Sequence, residues 1–147
     1  MLKSRHRKMP AFSMSLADVA ATEALGAMLA QRLEAGDVVG LYGELGSGKT
    51  TLARAILRAA SGEPELIVPS PTFTLVEVYE TARGIYWHFD LYRLEAPEQV
   101  YELGWEEALA DGIVLIEWPQ RLGALLPKHL SVTLEVDGDG RRALLDV

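Results

Sequence analysis

The segment Gly43-Glu44-Leu45-Gly46-Ser47-Gly48-Lys49-Thr50, continued by Thr51, follows the pattern G-x-x-x-x-G-K-[ST]. Few short patterns restrict a fold so strongly, because this one works only between a strand that ends and a helix that begins. Both neighbours are legible. Asp37 to Tyr42 (DVVGLY) reads as a short buried strand, and Lys49 to Ala60, with Leu52, Ile56 and Leu57 on one face, reads as a helix. The glycines let the backbone curl so that successive N–H groups point inward at a helix N-terminus, which is an anion nest. Gly43, Glu44, Leu45, Gly46, Ser47, Gly48, Lys49, Thr50 and Thr51 are therefore the expected nucleotide-phosphate cradle. Lys49 is expected on the β- and γ-phosphates, and the Thr50 hydroxyl on Mg²⁺.

A chain of 147 residues with 49% hydrophobic and 24% charged residues is expected to form one domain. Lys3, Arg5, Arg7 and Lys8 give the first residues a basic character, without the apolar core of a signal peptide. Residues 1–14 are accordingly expected to be a flexible basic tail, and 15–147 the domain. The net charge is −7, and the chain beyond that tail is more acidic still. Such a surface repels phosphate backbones, which argues against unaided binding of DNA or RNA and leaves room for a basic protein partner. No apolar run is long enough to span a membrane. The absence of cysteine excludes disulfides and thiol chemistry and suits the cytoplasm. Asparagine is absent too, a composition that points toward a thermophilic source.

Ser15-Leu16-Ala17-Asp18 resembles a capping box with Ser15 as N-cap. The helix it opens is expected to run to about Leu33, burying Val19, Leu25, Met28, Leu29 and Leu33. Pro69-Ser70-Pro71 holds the chain extended. A strand from Thr72 to Tyr79, a turn at 81–84 and a strand from Ile85 to Tyr92 then make a hairpin. The two-residue period of the second strand places His88 and Asp90 on the same surface. Pro97 suits the start of a short helix, with further helix over Trp105 to Ala110. Ile113-Val114-Leu115-Ile116-Glu117 reads as a core strand with an acid at its C-terminal end, broken at once by Trp118-Pro119. Leu130 to Val136 and Ala143 to Val147 suggest a final antiparallel hairpin at a sheet edge.

Phosphate-loop chemistry needs a carboxylate for the metal and a group that orients water. Glu117 is the candidate for the first, through a bound water, and Asp90 for the second. With Lys49 they form the expected catalytic set. Thr72 and Thr74 follow the rigid Pro-Ser-Pro segment, where a hydroxyl could sense the γ-phosphate or its metal. His88 taken alone reads as a packed or solvated histidine. Guanine-specific proteins of this class carry an Asn or Thr followed by Lys-x-Asp. The chain has no Asn, and none of Lys3, Lys8, Lys49 and Lys128 stands in that context, which favours adenine.

GELGSGKTT (43–51), SPTFTLV (70–76), HFDLYRL (88–94) and IEWP (116–119) occur in an order and spacing that closely resembles the TsaE family, the small bacterial ATPases of tRNA threonylcarbamoyladenosine synthesis. The resemblance runs from about Ser15 onward. It implies an α/β phosphate-loop fold in three α/β/α layers, whose mixed sheet is parallel at its centre and antiparallel at its edges. It also implies binding of ATP/ADP and Mg²⁺, slow hydrolysis, and action on the complex of TsaD with TsaB, with tRNA met only through that complex. Carried over residue by residue, Lys49 meets the phosphates, Thr50 and Glu117 the metal, and Asp90 the hydrolytic step. Trp118 lies beside the site, and Thr72 and Thr74 fall in a switch-like segment. Asp18 and Arg141 become candidates for the adenine. Ser47 stands where alanine is more usual, a small-for-small change. Two other readings compete: a nucleotide-dependent assembly factor for which hydrolysis is incidental, and a small-molecule kinase. The second is weakened by arginines that are scattered rather than gathered in a lid.

Overall fold

A computed structural model describes residues 11–146. Within them the order is β1 (Phe12–Leu16), α1 (Val19–Arg32), β2 (Val38–Tyr42), α2 (Lys49–Ser61), β3 (Val76–Thr81) and β4 (Gly84–Asp90). A 3-10 helix (Pro97–Leu103), α3 (Trp105–Asp111), β5 (Ile113–Glu117), a second 3-10 helix (Pro119–Leu125), β6 (Leu130–Asp137) and β7 (Gly140–Asp146) follow. The seven strands form one sheet in the order β1-β7-β6-β2-β5-β4-β3. β2 runs parallel to both β5 and β6, and β4 runs parallel to β5. The outer pairs β1–β7, β6–β7 and β3–β4 are antiparallel. The sheet thus has the parallel centre and antiparallel edges that the resemblance implied.

Strand alternation sorts the core into two layers. In β5, Ile113 and Leu115 join Val39 and Leu41 of β2 beneath α1 and α2. Val114 and Ile116 face the other way, where Phe89, Val100 and Trp105 close the layer under α3 and the first 3-10 helix. Helices thus cover both faces, making three layers. Parity then settles where the acids go. Glu117 continues the Ile113–Leu115 series, while His88 and Asp90 continue from Tyr86, which packs in the α1/α2 layer. All three therefore lie on the α2 side, and Asp90 and Glu117 are register partners at the C-terminal ends of neighbouring parallel strands. This is where open α/β sheets bind ligands.

Several expectations are corrected. The first ten residues of the expected tail lie outside the described residues, and Phe12 to Met14 belong to an edge strand paired with β7. Because β1 adds outside β7, the terminal hairpin is not the sheet edge. Its two-residue turn uses Gly138 at φ 62°. Ser15 lies in β1, so the N-cap of α1 is Asp18, whose Oδ1 accepts a hydrogen bond from the Ala21 amide at 2.9 Å. Of the expected buried face, Leu25, Leu29 and Leu33 are in the core and Met28 packs against it, whereas Val19 at the first helical position is 61% exposed; Thr22, Gly26 and Ala30 join the buried side. Gly26 is where α1 and α2 press together, since a Cβ there would stand 2.5 Å from Ala55 Cβ.

Residues 72–75 are not strand. Leu75 takes φ 71°, its amide donates to the Pro71 carbonyl at 2.7 Å, and its carbonyl accepts from the Asp90 amide at 3.0 Å. A compact turn thereby tucks against the end of β4, and the β-propensity of Thr and Phe is overridden. Among the described residues, no helix is long and apolar enough to cross a membrane.

Candidate nucleotide site

β2 delivers the chain into the glycine-rich loop, and α2 leaves it with no side chain capping its first turn. Gly43, Gly46 and Gly48 have φ of 143°, 80° and 107°, values that L side chains adopt at a cost. Gly43 is further required by space. A Cβ there would lie 2.4 Å from Ser47 Oγ and 2.6 Å from the Leu134 carbonyl oxygen of β6.

Lys49 reaches back along the loop, its ammonium donating to the carbonyls of Gly43 at 2.6 Å and Glu44 at 2.9 Å. It also sits over the Trp118 ring, 4.4 Å from the centroid. Only 5% of Lys49 is exposed. Burial pushes its ammonium below the ordinary lysine value, opposed by the charges of Glu117 and Asp90. Trp118 is held at φ 60° immediately after β5, which turns its ring under Lys49 and against Tyr92.

The Thr50 hydroxyl donates to Glu117, at 2.9 Å from Oε1 and 3.0 Å from Oε2. With its proton engaged there, the hydroxyl keeps its lone pairs for a cation. One hydroxyl and one carboxylate are the hard oxygen donors that Mg²⁺ accepts while retaining waters and substrate phosphates. Among the described residues, no three His, Cys, Asp or Glu side chains gather to hold a metal by themselves. The donor set therefore fits a cation shared with a phosphate ligand rather than a closed protein cage.

Asp90 is nearly buried, and both carboxylate oxygens are engaged. Oδ1 accepts the Tyr92 amide at 3.0 Å, and Oδ2 accepts the Thr72 hydroxyl at 3.2 Å. Thr72 in turn shares a 2.7 Å contact with Ser70 Oγ. Burial raises the Asp90 carboxyl above its usual range, and the Tyr92 and Thr72 hydrogen bonds pull the other way. Lys49, Thr50, Asp90, Glu117, Thr72 and Trp118 all line one cavity of about 300 Å³.

Next to it, a second cavity of about 220 Å³ lies between the start of α1 and the β6–β7 turn, and Asp18, Thr51 and Arg141 are among its walls. Its place beside the loop suits a nucleoside. Asp18 is occupied as a helix cap. The Arg141 guanidinium donates to the carbonyls of Ser47 and Gly46, both at 3.1 Å, and so ties the terminal hairpin to the glycine-rich loop.

The structure thus brings Lys49, Thr50, Asp90, Glu117, Thr72 and Trp118 together. It leaves Thr74 outside, with its hydroxyl donating to Glu77 Oε2 at 3.0 Å. Glu44 contributes its carbonyl to Lys49, and Ser47 lines the second cavity instead. Sequence reasoning missed two contacts. Arg141 braces the loop from 94 residues away, a separation that no local signal encodes. His88 is fully buried with Nε2 2.8 Å from Glu117 Oε2, and the alternation that placed it beside Asp90 was the available clue.

The comparisons with known proteins agree with one another. The family model described as threonylcarbamoyl adenosine biosynthesis protein TsaE matches residues 16–144. The tRNA threonylcarbamoyladenosine biosynthesis protein TsaE of Rickettsia felis is 45% identical over 122 residues, covering 82% of this chain and 71% of that one. The protein of the same name from a Nostoc species is 39% identical over 132 residues, covering 86% and 80%. The crystal structure of Bacillus subtilis YdiB superposes with a TM-score of 0.73 over 92% of this chain and 84% of that one. At 23% identity, that likeness speaks to the fold alone. The chain belongs to the TsaE family of tRNA threonylcarbamoyladenosine biosynthesis proteins.

Proposed function

We propose that this protein is a Mg²⁺-dependent ATPase of threonylcarbamoyladenosine synthesis, acting on the TsaD–TsaB complex through nucleotide-gated association and reset by hydrolysis. The observation that carries the reading is convergence. A lysine and a hydroxyl from the phosphate loop and two carboxylates from separate strands line one cavity at the C-terminal end of the parallel strands. In this reading, loop amides and Lys49 bind the β- and γ-phosphates, while Thr50 and Glu117 hold the cation. Bound Mg²⁺ would neutralise charge developing on the phosphate oxygens. Asp90 orients the attacking water and takes its proton. The Asp90 oxygen that accepts from Thr72 keeps a second lone pair for water, and loss of the Thr72 hydrogen bond would make it the stronger acceptor. In this reading, a partner that moves the 69–75 segment would break that hydrogen bond and speed turnover. The adjoining cavity takes the nucleoside, and adenine is favoured on the sequence grounds above.

The test pairs two variants. Lys49→Ala is expected to abolish binding of a fluorescent ATP analogue. Asp90→Ala is expected to bind ATP within a few-fold of wild type and to lose partner-stimulated hydrolysis by about 10²-fold or more. Full stimulated hydrolysis by Asp90→Ala would refute the assignment. Repeated cycles of tRNA modification supported by an uncleavable ATP analogue would favour the assembly-factor reading instead.

A further inference from the structure

His88 is a buried polar side chain to which the mechanism above gives no task. It is 0% exposed, and its Nε2 lies 2.8 Å from Glu117 Oε2. Its other ring nitrogen, Nδ1, is buried without a hydrogen-bond partner among the described residues. A histidine kept only to fill space would serve better as leucine, because an unpartnered ring nitrogen is costly to bury. Its one polar contact is with the carboxylate that also accepts the Thr50 hydroxyl.

We propose that His88 is a positioning residue that holds Glu117 in the one orientation suited to the cation. The proposal rests on the metal role assigned to Thr50 and Glu117 above. Glu117 ends β5, and its carboxylate would otherwise rotate about its own side-chain torsions. A carboxylate oxygen only accepts, so the proton of this contact lies on Nε2. Donation from Nε2 fixes Oε2 and with it the carboxylate, whose two oxygens then face the Thr50 hydroxyl at 2.9 and 3.0 Å. The geometry is delivered by strand pairing. β4 and β5 are parallel with Asp90 opposite Glu117, so the residue two earlier on β4 lies on the same face, within reach of the carboxylate. The same β4 face thus supplies Asp90 for water and His88 for the metal-side carboxylate. Outer partners of this kind hold metal-site ligands in place, and their loss typically weakens metal affinity by about 10–100-fold.

The experiment uses full-length protein loaded with ADP and titrated with Mn²⁺, reading free Mn²⁺ by electron paramagnetic resonance. His88→Leu keeps bulk and removes the donor. His88→Gln places an amide N–H near the position of Nε2. The expected result is at least a roughly 10-fold weaker Mn²⁺ affinity for H88L, with ADP affinity in the absence of metal unchanged, and recovery to within about 3-fold in H88Q. Equal Mn²⁺ affinity in wild type and H88L would overturn the inference alone. A wild-type protein that holds no Mn²⁺ beyond ADP's own share would overturn the metal reading and this inference together.

The wild-type histidine spectrum decides the matter if H88L fails to fold. The chain has only three histidines, so long-range proton–nitrogen correlations can assign the His88 tautomer. A proton on Nε2, with a resonance that shifts when Mg²⁺ joins bound ADP, supports the role. A proton on Nδ1 alone refutes it, since Nε2 could then donate nothing to Glu117.

Discussion

Replacing Gly43 by alanine tests whether the glycine-rich loop is shaped by its own glycines or by the sheet beneath it. Two costs can be separated. Gly43 has φ 143°, and holding a residue with a Cβ in sparsely populated backbone space costs about 1–3 kcal/mol. The added Cβ would also stand 2.6 Å from the Leu134 carbonyl oxygen and 2.4 Å from Ser47 Oγ. The hydroxyl can rotate away. The carbonyl cannot, because β6 is pinned between β2 and β7. Overpacking of that kind costs about 1–3 kcal/mol. The lower entropy of the unfolded alanine chain returns about 0.4–1 kcal/mol. The net loss is about 1–5.5 kcal/mol, a sizeable share of the ~5–15 kcal/mol that holds a domain folded. For a chain of this size the melting temperature should fall by roughly 2–22 °C.

Calorimetry or thermal circular dichroism measures that shift, and a Ser47→Ala background divides it. Because the carbonyl obstacle survives in the double variant, G43A/S47A should recover only a minor part of the loss. Ser47→Ala alone should be neutral or stabilising, since Ser47 Oγ is buried without a partner. Gly43→Ala melting within about 2 °C of wild type, or full recovery in the double variant, would refute the packing argument.

Three further outcomes follow from packing and burial. Gly26→Ala should destabilise by up to about 2 kcal/mol despite alanine's advantage of about 1 kcal/mol in a helix, because the new methyl meets Ala55 Cβ at 2.5 Å and the Ala55 carbonyl carbon at 2.8 Å. A urea titration showing a gain instead would mean that α1 and α2 can part freely. Burial raises the Asp90 carboxyl above its usual value near 3.8, so between that value and the raised one the folded chain binds more protons than the unfolded chain. The stability this group adds is therefore full below the unfolded value and is lost as pH rises through the folded one. Asp90→Asn, which cannot titrate, should gain stability relative to wild type across that window. The proposed hydrolysis should show an acid limb displaced upward by the same cause. Parallel unfolding curves for the two proteins from pH 4 to 7 would contradict the shift.

The sequence alone carried the site features that depend on spacing along the chain. The loop pattern named the cradle, because strand, glycines and helix are contiguous. Alternation in β4 and β5 put Asp90 and Glu117 on definable faces, because a strand's period of two is local geometry. Four short motifs in register pointed to the family. Tertiary structure decided what depends on partners distant in sequence. Leu75 took φ 71° because its carbonyl is needed by the Asp90 amide, so the strand expected from Thr72 became a turn that delivers Thr72 to Asp90 and sends Thr74 away. β1 could be recognised as a strand only once β7 offered its edge. The Arg141 brace and the His88–Glu117 contact join residues 94 and 29 positions apart. Propensity and periodicity act over a few residues, whereas such contacts exist only after the sheet order β6-β2-β5-β4 has brought the strand ends side by side.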